Sequence, residues 1–203
     1  MSLADTQCPK CYAKSRHRAL HLLLQGHFAS LMVPSGRILE IGPEVYSHRF
    51  AKAWPEIQHV ALDIKNPWAN TKADLTQLPF QASTFHLGIC YHVFEHIIDD
   101  SSAMSEFFRV LQPGGLALVQ VPIKGDHTYE DYTITSLAAR ERAFGQEDHV
   151  RQYGWDIVSR LGDAGFRVES LDAVNVLGSK IVNRYGIRNG EPIFICRKLA
   201  EAT

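Results

Sequence analysis

No apolar run in the 203-residue chain approaches the roughly 20 residues that a bilayer-spanning helix needs. Nor do its first residues read as the apolar core of a signal peptide. Cysteine is scarce, at four, and two of the four, Cys90 and Cys196, stand inside apolar strand-like runs, which argues against a disulfide framework. Neither charge is in excess. With 21 basic and 22 acidic side chains the formal charge is -1, so nothing pulls the chain generally toward nucleic acid or an anionic membrane. Internal repeats and low-complexity tracts are missing too. One globular domain with a single core is what remains, and the cytoplasm is its expected setting.

From Arg37 onward, strand-like runs alternate with helix-like segments. "RILEIG", "HVALDI", "FHLGICYH" and "LALVQVPI" are short and apolar, and a brief "KADL" is expected as an edge strand. "YSHRFAKAW", "DDSSAMSEFFRVL" and "WDIVSRLGDAGF" carry helical periodicity, with "RVESLDAV" and "EPIFICRK" as later strands. Continuously apolar strands separated by helices predict a mostly parallel sheet covered on both faces. Ligands of such sheets lie beyond the carboxyl ends of the strands. Glu40, Gly42, Asp63, Asp74, Tyr91 and His92 all fall there.

The turn after the first run, "GPEVY", lacks the repeated glycines of a dinucleotide loop. Pro43 has no N–H to give a pyrophosphate, and Glu44 sets negative charge where a phosphate would sit. S-adenosylmethionine has no phosphate and carries net positive charge, so an acidic turn suits it better. Asp63 is placed to accept from both ribose hydroxyls.

Further motifs in order along the chain are "ADLTQLPF", "FHLGICYHVFEHI" and "RVLQPGGLALVQVPI". With Glu40, Gly42 and Asp63 they resemble the class I S-adenosylmethionine-dependent methyltransferases of the type 11-like group. The chain looks closest to a bacterial subgroup with an N-terminal CPxC…RHR segment, a "TYED" stretch and an "FGQEDHVRQYG"-like stretch. The resemblance implies a Rossmann-like, doubly wound, mostly parallel seven-stranded α/β sheet of order 3-2-1-4-5-7-6, its last strand antiparallel. It divides the chain into residues 1–34, a Cys-x-x-Cys segment with a capping helix, and a methyltransferase domain over 35–203. Within that domain, 122–153 is expected as a lid that binds the acceptor.

Carried over by position, the resemblance puts Glu40, Gly42 and Pro43 beside the methionyl end and Asp63 on the ribose. Ile64 is expected against adenine, Asp74 on its amino group and the Leu75 N–H near a ring nitrogen. Tyr91 and His92 would line the path to the acceptor. His92 and His149 are the candidate bases, because an imidazole titrates near neutrality. Tyr129, Glu130, Arg151 and Tyr153 are the candidate acceptor-binding residues, and S-adenosylhomocysteine is the implied product. The acceptor is expected to be small and polar, a sugar or glycan precursor, with oxygen favoured over nitrogen. The rival reading is a non-catalytic module that binds the cofactor and presents 122–153 to a partner. Cys8 and Cys11 with His17 and His21 contain the ligand types of a zinc site, but a metal-free knuckle is expected, and no metal site is assigned. Arg16 or Arg18 could reach the methionyl carboxylate.

Overall fold

Two apolar stretches, Arg37–Ile41 (β1) and Gln58–Leu62 (β2), pair in parallel, with Leu39 beside Val60 and Ile41 beside Leu62. On the other side of β1 lies Phe85–Tyr91 (β3), and beyond it Leu111–Gln120 (β4), both again parallel. Pro192–Arg197 (β8) runs antiparallel to β4 and to Arg167–Asp172 (β7). The computed structural model therefore holds a six-stranded sheet of order β2-β1-β3-β4-β8-β7 and describes residues 7–44, 46–47, 52–188 and 192–200.

The order differs from the expected one at one place. The strand expected at "KADL" is reduced to an isolated parallel bridge between Leu62 and Thr71. Asn70 takes the place of a ladder there: its Oδ1 accepts from the Ala61 N–H at 2.9 Å and its Nδ2 donates to the His59 carbonyl at 3.0 Å. The amide side chain thus meets the outer edge of β2 together with the Asn70 and Thr71 N–H groups, which donate to the Ala61 carbonyl. Part of the helix expected over "YSHRFAKAW" lies outside the described residues.

Alternation along the central strands sends side chains to two cores. Leu39, Ile41, Cys90, Ala117 and Val119 pack with Asp100–Val110 (α2) and Ile157–Asp163 (α4). Ile38, Leu87, Ile89, Leu116 and Leu118 face Ser15–Gln25 (α1), Ala173–Leu177 (α5) and Ser179–Tyr185 (α6). Gly88 is what lets α2 approach β3, since a Cβ there would stand 2.5 Å from the Phe107 ring. Among the described residues no helix is long and apolar enough to cross a membrane.

The connection after β4 has its own order. Tyr129–Glu130 (β5) and Arg151–Gln152 (β6) form an antiparallel pair around the helix Leu137–Phe144 (α3). Arg151 is fully buried and reaches the turn before α2, donating to the carbonyls of Phe94 at 3.1 Å and Ile98 at 2.8 Å and to that of Ile97. A second tie comes from Tyr153, whose hydroxyl donates to Asp100 Oδ2 at 2.6 Å.

Candidate functional site

β1, β2 and β3 end side by side, and the residues that follow them share one cleft of about 590 Å³. Gly42 follows β1, Asp63 and Ile64 follow β2, and His92 follows Tyr91 at the end of β3; all five line the cleft, with Asp74 and Leu75. All seven are expected residues of the site; five stand at or just after a strand end, while Asp74 and Leu75 reach the cleft from a turn. Their convergence is a product of the parallel pairing.

Gly42 has φ +65°, and a Cβ on it would stand 2.5 Å from Val93 Cγ2. Only glycine serves a turn that is both left-handed and this close to its neighbour. Asp63 Oδ1 accepts from the N–H groups of Lys65 and Asn66, each at 2.8 Å. Those two bonds fix the carboxylate and leave its second oxygen for a ligand. Asp74 combines two roles: it accepts from Thr76 N–H and Oγ–H, both at 2.8 Å, and it still lines the cleft.

Two expected cofactor residues are placed elsewhere. Glu40 lines not the main cleft but a small pocket beside it that shares Gly42, Glu44 and Tyr91; Ser47 Oγ donates to its Oε1 at 2.7 Å and His59 Nε2 lies 2.7 Å from its Oε2. Pro43 is likewise off the cleft, its carbonyl accepting from Asn66 Nδ2.

Glu44 does line the cleft, but its charge is not open as the sequence suggests. Lys14 Nζ stands 2.8 Å from its carboxylate, His17 Nε2 3.3 Å, and Arg16 pairs with it directly. Burial would raise this carboxyl, yet those neighbours hold it far below the usual range. The fixed charges of Lys14 and Arg16 therefore outnumber that of Glu44, and the exclusion of phosphates rests more on Pro43 than on Glu44. Arg16 is engaged by Glu44, while Arg18 donates to the carbonyls of Tyr185, Gly186 and Ala13 and ties α1 to the end of α6.

The candidate acceptor residues Glu130, Arg151 and Tyr153 bond to one another's neighbourhood and not to the cleft. Arg151 Nε donates to Glu130 at 2.9 Å, Arg160 pairs with both Glu130 and Asp100, and none of these residues is part of the cleft lining. A buried guanidinium must be paired to be tolerated, so here these residues position the segment. Tyr129 is half-exposed against the Phe144 ring, also away from the cleft.

His92 is the more informative of the two candidate bases. It has φ +56°, a backbone region that side chains with a Cβ seldom adopt. Its Nδ1 lies 3.4 Å from Glu95 Oε1, and its Nε2 is buried with no hydrogen-bond partner. Burial pushes the neighbouring Tyr91 phenol upward, so that hydroxyl stays neutral. His149 is not in the lining; the residue before it, Asp148, is, together with His96. His96 and Asp148 were not foreseen as cleft residues, because only the fold sets the "FEHI" turn against the distant "EDHV".

Cys8, Cys11, His17 and His21 do not converge. Among the described residues, Glu95, His96 and His149 are the metal-capable side chains that do. His17 is held by Glu44 and stacked on Tyr46, and His21 packs on Tyr46 and Trp54.

Residues 25–119 match a family described as methyltransferase domain. A Mycolicibacterium smegmatis protein named for S-adenosylmethionine-dependent methyl transfer is 39% identical over 133 residues, 64% of this chain and 47% of that protein. A mitochondrial arginine-hydroxylase of Mus musculus is 32% identical over 114 residues, 55% of this chain and 33% of the relative. The chain thus spans a third to a half of these curated relatives. In fold it is similar to an N1-methyltransferase of Burkholderia thailandensis, solved with S-adenosylhomocysteine and its methyl acceptor bound. The TM-score is 0.58 at 12% identity, covering 91% of this chain and 78% of the other. The matched residues run from the end of α1 through nearly all of β4, so the part of the chain that is similar to a methyltransferase domain contains the strands whose ends form the cleft.

Proposed function

We propose that this chain transfers the methyl group of S-adenosylmethionine to a small polar acceptor and releases S-adenosylhomocysteine. The observation that carries the reading is the sharing of one cleft by Gly42, Asp63, Asp74 and His92. The residues present fit the cofactor. The second oxygen of Asp63 suits ribose hydroxyls, Ile64 and Leu75 offer apolar surface to adenine, and the bare Gly42 leaves room for the methionyl end.

When bound, the cofactor supplies a methyl carbon already activated by positive sulfur. What the protein must add is alignment, for which about 7–11 kcal/mol of the barrier is available from positioning alone. His92, set in the lining with an unpartnered Nε2 and with Glu95 behind its Nδ1, would hold the proton of a hydroxyl acceptor. A base so placed favours oxygen over nitrogen as the acceptor atom, and the sequence adds a sugar or glycan precursor as its bearer. The bacterial relative's name and the cofactor product bound in the Burkholderia protein support S-adenosylmethionine as the methyl donor.

Calorimetry with S-adenosylmethionine, S-adenosylhomocysteine, NAD and ATP tests the first half. Binding of the two nucleotides without the first pair would overturn it. A release assay for S-adenosylhomocysteine against polar metabolites tests the second half.

One observation favours a different use of the fold. The segment 122–153 exposes Tyr129, Tyr132 and Leu137, and the mouse relative is named for hydroxylation, not methyl transfer. A module that binds the cofactor and docks a partner through those side chains would bind S-adenosylmethionine and release no product with any acceptor.

A further inference from the structure

Glu95 is almost wholly buried, 1% exposed, and neither of its carboxylate oxygens has a hydrogen-bond partner. A buried carboxylate left this way is costly unless something positive meets it. His92 Nδ1 at 3.4 Å is too far for a good hydrogen bond.

Two further imidazoles stand around it. One ligand atom from each of Glu95, His96 and His149 can be chosen so that all three lie within 4.8 Å of one another. The His96 and His149 rings are 4.7 Å apart and close to perpendicular. The fold holds this grouping, since the Val150 N–H donates to the Glu95 carbonyl at 2.9 Å and so pins the residue next to His149.

Each imidazole is also oriented. His149 Nδ1 lies 3.2 Å from the Phe144 carbonyl oxygen, and His96 Nδ1 lies 3.3 Å from that of Asp148 and 3.3 Å from its carboxylate. Carbonyl and carboxylate oxygens only accept, so these contacts call for the hydrogen on Nδ1 and leave Nε2 as the nitrogen that can ligate. Metal-ligating histidines are held in this way, by a carbonyl or carboxylate behind the ring.

We propose that Glu95, His96 and His149 bind a divalent first-row transition-metal ion at the wall of the cleft. Two imidazoles and a carboxylate suit such ions and leave coordination positions open. With bonds of about 2.1 Å, two ligands stand at most about twice that apart, so only a small contraction of the cluster is needed. His96 belongs to the cleft lining, so the open positions are reached from the cleft. If the methyl-transfer reading holds, they are where an acceptor oxygen would be gripped. The metal site itself does not depend on that reading.

The test uses the full chain, stripped with chelator and titrated with zinc alone, in a Cys8→Ser, Cys11→Ser background so that the thiols contribute nothing. One equivalent is expected to bind and to raise the melting temperature. Glu95→Gln and His149→Ala should each weaken binding by at least tenfold and remove the thermal shift while keeping a cooperative melt. Absence of saturable binding overturns the proposal. So does stoichiometric binding that survives Glu95→Gln and His149→Ala. Metal binding in a chain that ignores S-adenosylmethionine would instead count against the methyl-transfer reading alone.

Discussion

Lys14 Nζ stands 2.8 Å from Glu44 Oε2, and through that pair the segment before α1 is fastened to the turn after β1. With Arg16 and His17 on the same carboxylate, one acidic side chain organises two cations and an imidazole at the edge of the cleft. Glu44→Gln leaves those cations unbalanced. The variant is expected to lose about 1–3 kcal/mol of stability, as charged hydrogen bonds do when broken. It should also bind S-adenosylmethionine more weakly, because the excess of positive charge facing a cationic ligand would then be larger. Chemical denaturation and calorimetry read the two effects separately. An unchanged cofactor affinity would remove the charge balance from the account of the cleft.

Gly42→Ala meets two penalties at once. The left-handed turn costs an ordinary residue about 1–2 kcal/mol, and the new methyl group would stand 2.5 Å from Val93 Cγ2. A lower melting temperature and at least tenfold weaker cofactor binding are expected. Pairing the change with Val93→Ala should recover part of the stability, and a fully additive double variant would show that the two side chains do not interact.

Asp63→Asn keeps an oxygen to accept from Lys65 and Asn66 but replaces the other carboxylate oxygen with a donor. The loop should fold as before while affinity for S-adenosylmethionine falls by about tenfold or more, in line with one lost charged hydrogen bond. A calorimetric titration decides this, and equal affinity would mean the ribose lies elsewhere.

The buried network around Arg151 gives the chain an acid-sensitive joint. Burial would raise the Glu130 carboxyl, but Arg160 and Arg151 outweigh it and bring it from 4.5 down to about 2. A carboxyl lowered on folding stabilises the fold above its unfolded value, and that contribution disappears as pH falls toward the folded value. Wild type is therefore expected to lose more stability than Glu130→Gln between about pH 4.5 and 2. Parallel stability curves for the two proteins across that window would refute the assignment. Arg151→Met, which leaves Glu130 and Asp100 without this partner, should cost about 3–5 kcal/mol at neutral pH.

Much of this protein is written locally. The apolar runs that became β1 to β4 and the periodicity of α2 depend on side chains a few residues apart, so they are visible in the sequence. Because each parallel strand ends where its apolar run ends, the same reading locates Gly42, Asp63 and His92. Charge satisfaction is different in kind, since it depends on which distant groups fold together. That Glu44 is neutralised from α1, that Arg151 serves the fold, and that Asn70 replaces a strand all follow from contacts between remote segments. The grouping of Glu95 and His96 with His149 has the same origin: a carboxylate and two imidazoles from separate turns meet only after the sheet and the segment behind it have packed.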